Sequence, residues 1–209
     1  MPTTTPFSLG DTVPAFSLPD TDGNEHQVPL EAAPPATVLV VTCLHCPYVI
    51  AWNPRLRAVA EQYDPRGVRV LGIHANDASR YPADSPAHMK RFVNEQRWPL
   101  PYLHDESQDV ARALRAQVTP HVFVLDSQQR LVYRGAPDAD HRDPSQNAAW
   151  LRGALDDQPG AKLGQLRQRL ARVLANPNSE QRINLLLDLR RRRYRASHGV
   201  GPPYRLVRT

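Results

Sequence analysis

The chain has 209 residues, 41% of them hydrophobic and 22% charged, with a formal net charge of +5, which fits one sizeable globular domain with an addition rather than two large domains. No stretch approaches the ~18 apolar residues of a membrane span, and residues 1–10 carry neither the basic nor the apolar segment of a secretory signal, so a soluble, cytoplasmic protein is expected. Only two cysteines are present, three positions apart, which excludes a disulfide-stapled scaffold and marks a local redox or metal pair.

In chain order, the first 35 residues hold scattered prolines and a turn signal at Asp22-Gly23, the pattern of an extended or hairpin-like lead-in. Thr37 to Val41 is an apolar run rich in β-branched residues without polar alternation, which predicts a central strand covered on both faces. Cys43-Leu44-His45-Cys46 follows directly. Pro47 then opens a helix over Tyr48 to Tyr63, with Val49, Trp52, Leu56, Val59 and Ala60 at helical spacing and a kink expected at Pro54.

Val68 to His74 reads as a second strand, and Ser85-Pro86, a capping serine before a first-position proline, starts a helix to about Arg97. Pro101 to His104 is a short strand and Ser107 to Leu114 a helix. His121 to Asp126 and Leu131 to Gly135 form a hairpin over Ser127 to Arg130, and Gln146 to Asp156 is a last helix. Early β-α alternation with a late hairpin predicts an α/β fold: a central mixed β-sheet flanked by helices.

Charge divides the chain near Asp157 to Gly160. From Gly160 onward there are 12 Lys and Arg against 2 acids, leaving 14 bases and 19 acids before it, so a body at −5 precedes a segment at +10. The expected organisation is a domain over residues 1–159 and a basic helical C-terminal extension over residues 160–209. In the extension, Leu163, Leu166, Leu170, Val173 and Leu174 make one apolar stripe, and Ile183, Leu186 and Leu187 follow an Asn178-Ser179 cap in another. A pair this short cannot make its own core, so the stripes are expected to dock on the body or on a second copy in a homodimer. Arg190 to Arg193, with Tyr194 and Arg195, could meet nucleic acid, an anionic membrane or an acidic partner with salt-sensitive affinity. The simpler reading is a solvated helix end.

The chemistry lies in the cysteines. A C-x-x-C at a helix mouth in a β-α-β setting is a redox pattern, because unpaired N–H groups and the positive helix end favour thiolate and lower the pKa from ~8.5. This makes Cys43 the attacking sulfur and Cys46, one turn inside, the resolving one, so two electrons move without a cofactor. His45 between them, with Pro47 at the helix start, tunes the pair. Val118-Thr119-Pro120 before the strand at His121 suggests a cis proline, with Thr119 and Pro120 offering backbone to an extended substrate. If Pro120 faces the cysteines, His121 joins the tuning residues, and Cys43, Cys46, His45 and His121 could instead hold copper(I) or zinc. Asp77, Asp84 and Asp105 read as turn or cap residues, and no glycine spacing suits a nucleotide phosphate.

Several linked motifs then carry a resemblance. Cys43-Leu44-His45-Cys46-Pro47-Tyr48-Val49, His74-Ala75-Asn76-Asp77, Tyr81-Pro82-Ala83-Asp84-Ser85-Pro86, Pro101 to Gln108, Thr119-Pro120 and Val132-Tyr133-Arg134-Gly135 resemble the thioredoxin-like branch of the AhpC/TSA (redoxin) proteins over roughly Phe7 to Leu155. The resemblance implies a thioredoxin-like fold, Cys43 as nucleophile, Cys46 as resolving cysteine and Pro120 as the cis proline. The chain departs from the branch at Val118, where members often carry a further cysteine, and at His121, where an acid is usual. The peroxidase signature P-x-x-x-T-x-x-C fails: counting back from Cys43 gives Val40 and Ala36, and from Cys46 gives Cys43 and Leu39. Thr37 stands where thioredoxin keeps a buried aspartate. The expected function is a thiol-disulfide oxidoreductase of redox homeostasis, acting on protein or small-molecule thiols and disulfides with an electron donor. The alternatives are a thiol-dependent peroxidase of the same fold, or a metal- or nucleic-acid-binding protein without turnover.

Overall fold

A computed structural model describes residues 7–158 apart from 31, 33 and 97; the expected basic extension lies outside the described residues. Strands β1 (Phe16–Pro19) and β2 (Glu25–Val28) pair antiparallel as the lead-in hairpin. Asp20 shapes its turn by accepting the N–H groups of Asp22 and Asn24 at 2.8 and 3.0 Å, and Gly23 takes φ +86°, which favours glycine there.

The main sheet has the order β5-β4-β3-β6-β7. β3 (Ala36–Thr42) lies at its centre with all seven residues buried. It runs parallel to β4 (Arg69–His74), which runs parallel to β5 (Tyr102–His104). On the other side β6 (His121–Asp126) is antiparallel to β3, and β7 (Leu131–Gly135) is antiparallel to β6.

The burial of β3 on both faces explains its unbroken apolar run. Val38 and Val40 point to one face, where Trp52, Leu56, Val59 and Tyr63 of α1 (Pro47–Tyr63) pack with Leu151 and Leu155 of α4 (Ala149–Asp156). Leu39 and Val41 point to the other, against Leu18, Val28, Phe123 and Val110 of α3 (Asp109–Ala113). Each such side chain contributes about 1.5–3 kcal/mol on leaving water. The remaining helix of the described residues, α2 (Pro86–Gln96), buries Met89.

α1 runs on through the proline at position 54; the carbonyl that loses its helical donor there belongs to Ile50, whose side chain is exposed. Two expectations are corrected. The helix expected over Ser107 to Leu114 is shorter, starting after Gln108 at φ 62°, with Asp105 accepting the N–H groups of Val110 and Ala111. The last helix begins at Ala149 because Asn147 and Ala148 take positive φ, and the residues before them form a 3-10 turn.

Strand direction positions the site. β3 and β4 end together at Thr42 and His74, and β5 ends beside them at His104. β6 starts next to Val41, so the loops after β3 and β4 and the segment before β6 all emerge at one sheet edge.

Candidate active site

Cys43 leaves the end of β3, and Cys46 caps α1 with φ −67° and ψ 124°, so that Pro47 is the first helical residue. Cys46 therefore stands at the helix mouth, not a turn inside. Both sulfurs are free thiols that meet one residue from a distant part of the chain: Cys43 Sγ is 3.4 Å from the Thr119 hydroxyl, and the Cys46 thiol donates to the Thr119 carbonyl at 3.4 Å. The Thr119–Pro120 bond is cis. The structure thus brings together Cys43, Cys46, Thr119 and Pro120, with His45 in the intervening loop.

Burial opposes the expected electrostatics. Cys43 is only 2% exposed, and this burial pushes its thiol up; the Thr119 hydroxyl and the Cys46 N–H pull down, while Asp84 and Cys46 add to the rise. The lowered value expected at a helix start is not found, because Cys43 lies outside the first turn and is shielded from water. Cys46 is the more exposed of the two.

Sequence reasoning missed Asp84, which it assigned to turn bonding. The carboxylate is fully buried. Its Oδ1 accepts the Leu44 N–H at 2.8 Å, and its Oδ2 accepts Asn76 Nδ2 at 2.8 Å and lies 2.6 Å from His45 Nδ1. Burial alone would raise its pKa, but the bonds from Asn76 and Leu44 and the nearby His74 outweigh this and hold it below the usual carboxylate range. His74, Asn76 and Asp84 stand in the runs 74–77 and 81–86, but no periodicity marks them as neighbours of Cys43.

The histidines divide by burial. His45 keeps 41% of its side chain exposed and stacks on Tyr81 at 5.0 Å. His74 is fully buried, with Nε2 3.3 Å from Asp84 Oδ1. Neither of its ring nitrogens has a hydrogen-bond partner among the described residues, and burial lowers its pKa against the pull of Asp84. His121 accepts the Gln117 N–H on Nδ1 at 3.2 Å and packs on Phe123 at 4.6 Å. Burial and then Arg134 push its pKa down, which disfavours a positive charge on this ring.

Nor does the set Cys43, Cys46, His45 and His121 converge. Among the described residues, the donor atoms that gather within 4.8 Å are those of Cys43, His45 and Asp84. Thiolate, imidazole and carboxylate are types that zinc accepts; of the Asp84 oxygens, Oδ1 already accepts the Leu44 N–H and Oδ2 accepts Asn76 Nδ2 and faces His45 Nδ1.

A braced loop forms one wall. Asp138, buried, accepts Trp52 Nε1 at 2.7 Å, Arg55 Nη1 at 2.7 Å and the Ala148 N–H at 2.8 Å. The Arg55 guanidinium also bonds the carbonyls of Asp140, His141 and Asp143. This holds the His141 ring 4.5 Å from that of Tyr48. Exposed apolar side chains cluster around the motif: Tyr48 and Ile50 in the first turn of α1, Tyr81 on His45, and Val118 next to Thr119.

The comparisons with known proteins support a redox function in general terms. None of the curated proteins matches the chain. The crystal structure of an uncharacterized conserved protein from Geobacillus kaustophilus is similar at 38% identity and TM-score 0.68, covering 73% of this chain and 82% of that one. Peroxidoxin BcpB from Mycobacterium tuberculosis matches at 18% identity and TM-score 0.55, over 70% and 97% of the two chains. The thioredoxin domain of a thiol-disulfide oxidoreductase from Bacteroides vulgatus matches at 13% and 0.55, over 70% and 98%. The last two show the fold, which is thioredoxin-like as the sequence implied. The model of the AhpC/TSA family matches residues 9–134, more than half of the chain, and with the paired thiols at the end of β3 this shows that the protein belongs to the AhpC/TSA family.

Proposed function

We propose that the protein is a thiol-disulfide oxidoreductase whose working couple is Cys43 and Cys46. The observation that carries this reading is that both sulfurs lie 3.4 Å from atoms of one residue, Thr119. In the proposed cycle, the Cys43 thiolate attacks a substrate disulfide and releases one sulfur as a thiol. The Cys46 thiolate then attacks the mixed disulfide at Cys43, releasing the second substrate thiol and leaving Cys43 and Cys46 oxidised. The Thr119–Pro120 backbone docks the substrate chain beside the sulfurs, and the apolar rim of Tyr48, Ile50, Tyr81 and Val118 suits a protein substrate better than a small polar one.

The test is a redox titration in dithiol buffers, reading free thiols by alkylation mass shift. One two-electron transition joining Cys43 to Cys46 is expected, with a midpoint between about −270 and −120 mV. Thiols that stay reduced across the range would remove the reading. Oxidation of the pair by hydrogen peroxide faster than by disulfides would move the assignment to a thiol peroxidase.

One observation favours the reverse order of attack: Cys43 is buried, whereas Cys46 is partly exposed. Trapping decides between them. If Cys43 attacks, Cys46→Ser accumulates the mixed disulfide on Cys43 and Cys43→Ser does not; trapping on Cys46 in Cys43→Ser reverses the roles.

A further inference from the structure

Whichever sulfur attacks, Cys43 must lose a proton when the pair closes and regain it when the pair reopens. Its surroundings make that step a structural problem. Cys43 is 2% exposed and covered by Thr119, so its proton has no direct way to water. A hydroxyl and a backbone N–H can stabilise a thiolate but cannot take its proton away.

We propose that Asp84 and His45 form the proton exit of Cys43: the buried carboxylate holds the imidazole next to the thiol, and the imidazole delivers the proton to solvent. One donor atom of each of the three residues lies within 4.8 Å of the others. Asp84 and His45 share a 2.6 Å contact through Oδ2 and Nδ1. The pair spans the barrier, because Asp84 is fully buried while His45 keeps 41% of its side chain exposed. The remaining contacts of Asp84 hold it in place: the Leu44 N–H ties it to the cysteine loop, and Asn76 ties it to the loop after β4.

The other ionisable groups facing this point do not fill the role. His74, from the end of β4, is sealed from water, so it cannot pass a proton to solvent, and burial disfavours its charged form. Tyr102, from β5, is buried with its pKa pushed up. His104, also from β5, reaches the cluster only through His74, 6.3 Å away ring to ring. Cys46 is the partner sulfur itself.

The inference rests on the oxidoreductase reading for its purpose and keeps the same balance. Oxidation of the pair removes two electrons and two protons; the electrons pass to the substrate disulfide, whose sulfurs leave as thiols. The proton from Cys43 passes to the Asp84–His45 pair and leaves from the exposed ring to water. Reduction runs the same path inward.

The test uses the full chain and measures, against pH, the rate at which a small aromatic disulfide closes the Cys43–Cys46 pair, read by peptide mass mapping of the bridged form. A chain that forms no bridge would sink the oxidoreductase reading, whereas a bridge that forms in the variants at an unchanged rate would sink the proton exit alone, so the two readings fail separately. At neutral pH, Asp84→Asn and His45→Gln should each slow closure about a hundredfold, the size of a lost proton-transfer group. The double variant should be no slower than either single, since the two act as a unit. If Asp84 acts only through its charge, Asp84→Asn must instead speed closure, because that charge opposes the thiolate; this would overturn the proposal, as would multiplying losses in the double variant. If Asp84→Asn does not fold, His45→Gln decides alone, since its ring is exposed, and an unchanged pH profile there would sink the idea.

Discussion

Single residues with several partners carry the sharpest predictions. Thr119 holds both sulfurs, and its hydroxyl lowers the Cys43 pKa against the burial that raises it. Thr119→Val keeps the shape and removes the hydrogen bond, so burial and Asp84 should push the thiol higher still. Alkylation of Cys43 at pH 7 should slow about fivefold, the equivalent of about 1 kcal/mol, and a faster reaction would show that the bond does not favour thiolate. Asp138 serves Trp52, Arg55 and Ala148 in a buried setting. Asp138→Ala leaves the Arg55 guanidinium without its counter-charge, which should cost about 3–5 kcal/mol, read as a lower urea midpoint. At this scale the cysteines, Thr119 and Pro120 were legible, because a C-x-x-C and a Thr-Pro before an apolar strand are local patterns. Asp84 was not: it bonds Leu44 from 40 positions away, and an aspartate in a turn looks the same whether it faces solvent or a thiol.

Among the elements, β3 and β4 end and β6 begins where the site loops emerge, and β4 is paired there with β5. Gly72 in β4 is paired with Tyr102 of β5, and a Cβ there would lie 2.8 Å from the Tyr102 ring. Tyr102 is 3% exposed and packs near Phe92 at 5.7 Å, so the ring has little room to retreat. Gly72→Ala should therefore destabilise the protein by about 1–3 kcal/mol, measured by denaturant unfolding, and a neutral result would mean that β5 can shift outward. Most elements were legible because their signals are short-ranged: the apolar run of β3, the helical spacing in α1 and the Ser85-Pro86 start of α2. The start of α4 was missed because Asn147 and Ala148 take positive φ. Alanine gives no warning of that; its N–H is drawn to the buried Asp138 carboxylate instead.

Taken whole, the described residues bury two histidines whose charged form burial disfavours. His74 and His121 both have pKa values pushed below the ordinary ~6.5, first by burial. The unfolded chain binds these protons more readily than the folded one, so the stability they contribute is full above about pH 6.5 and is lost as pH falls through their folded values. Asp84, also lowered, adds a further loss once pH drops below about 4. The urea midpoint should therefore fall steadily from about pH 7 to about pH 5, and a flat profile would show that neither histidine resists protonation. The sequence alone determined what depends on neighbours along the chain: the order of strands and helices, the mixed sheet, the paired thiols at a helix mouth and the change of charge near Gly160. Only the tertiary structure decided which distant groups meet those thiols. Burial raised the Cys43 pKa against the helix start, made His121 a packing residue, and brought Asp84 and Thr119 to the sulfurs, Thr119 from 76 positions away. Desolvation and proximity are properties of the packed interior, and no local pattern of residue types encodes them.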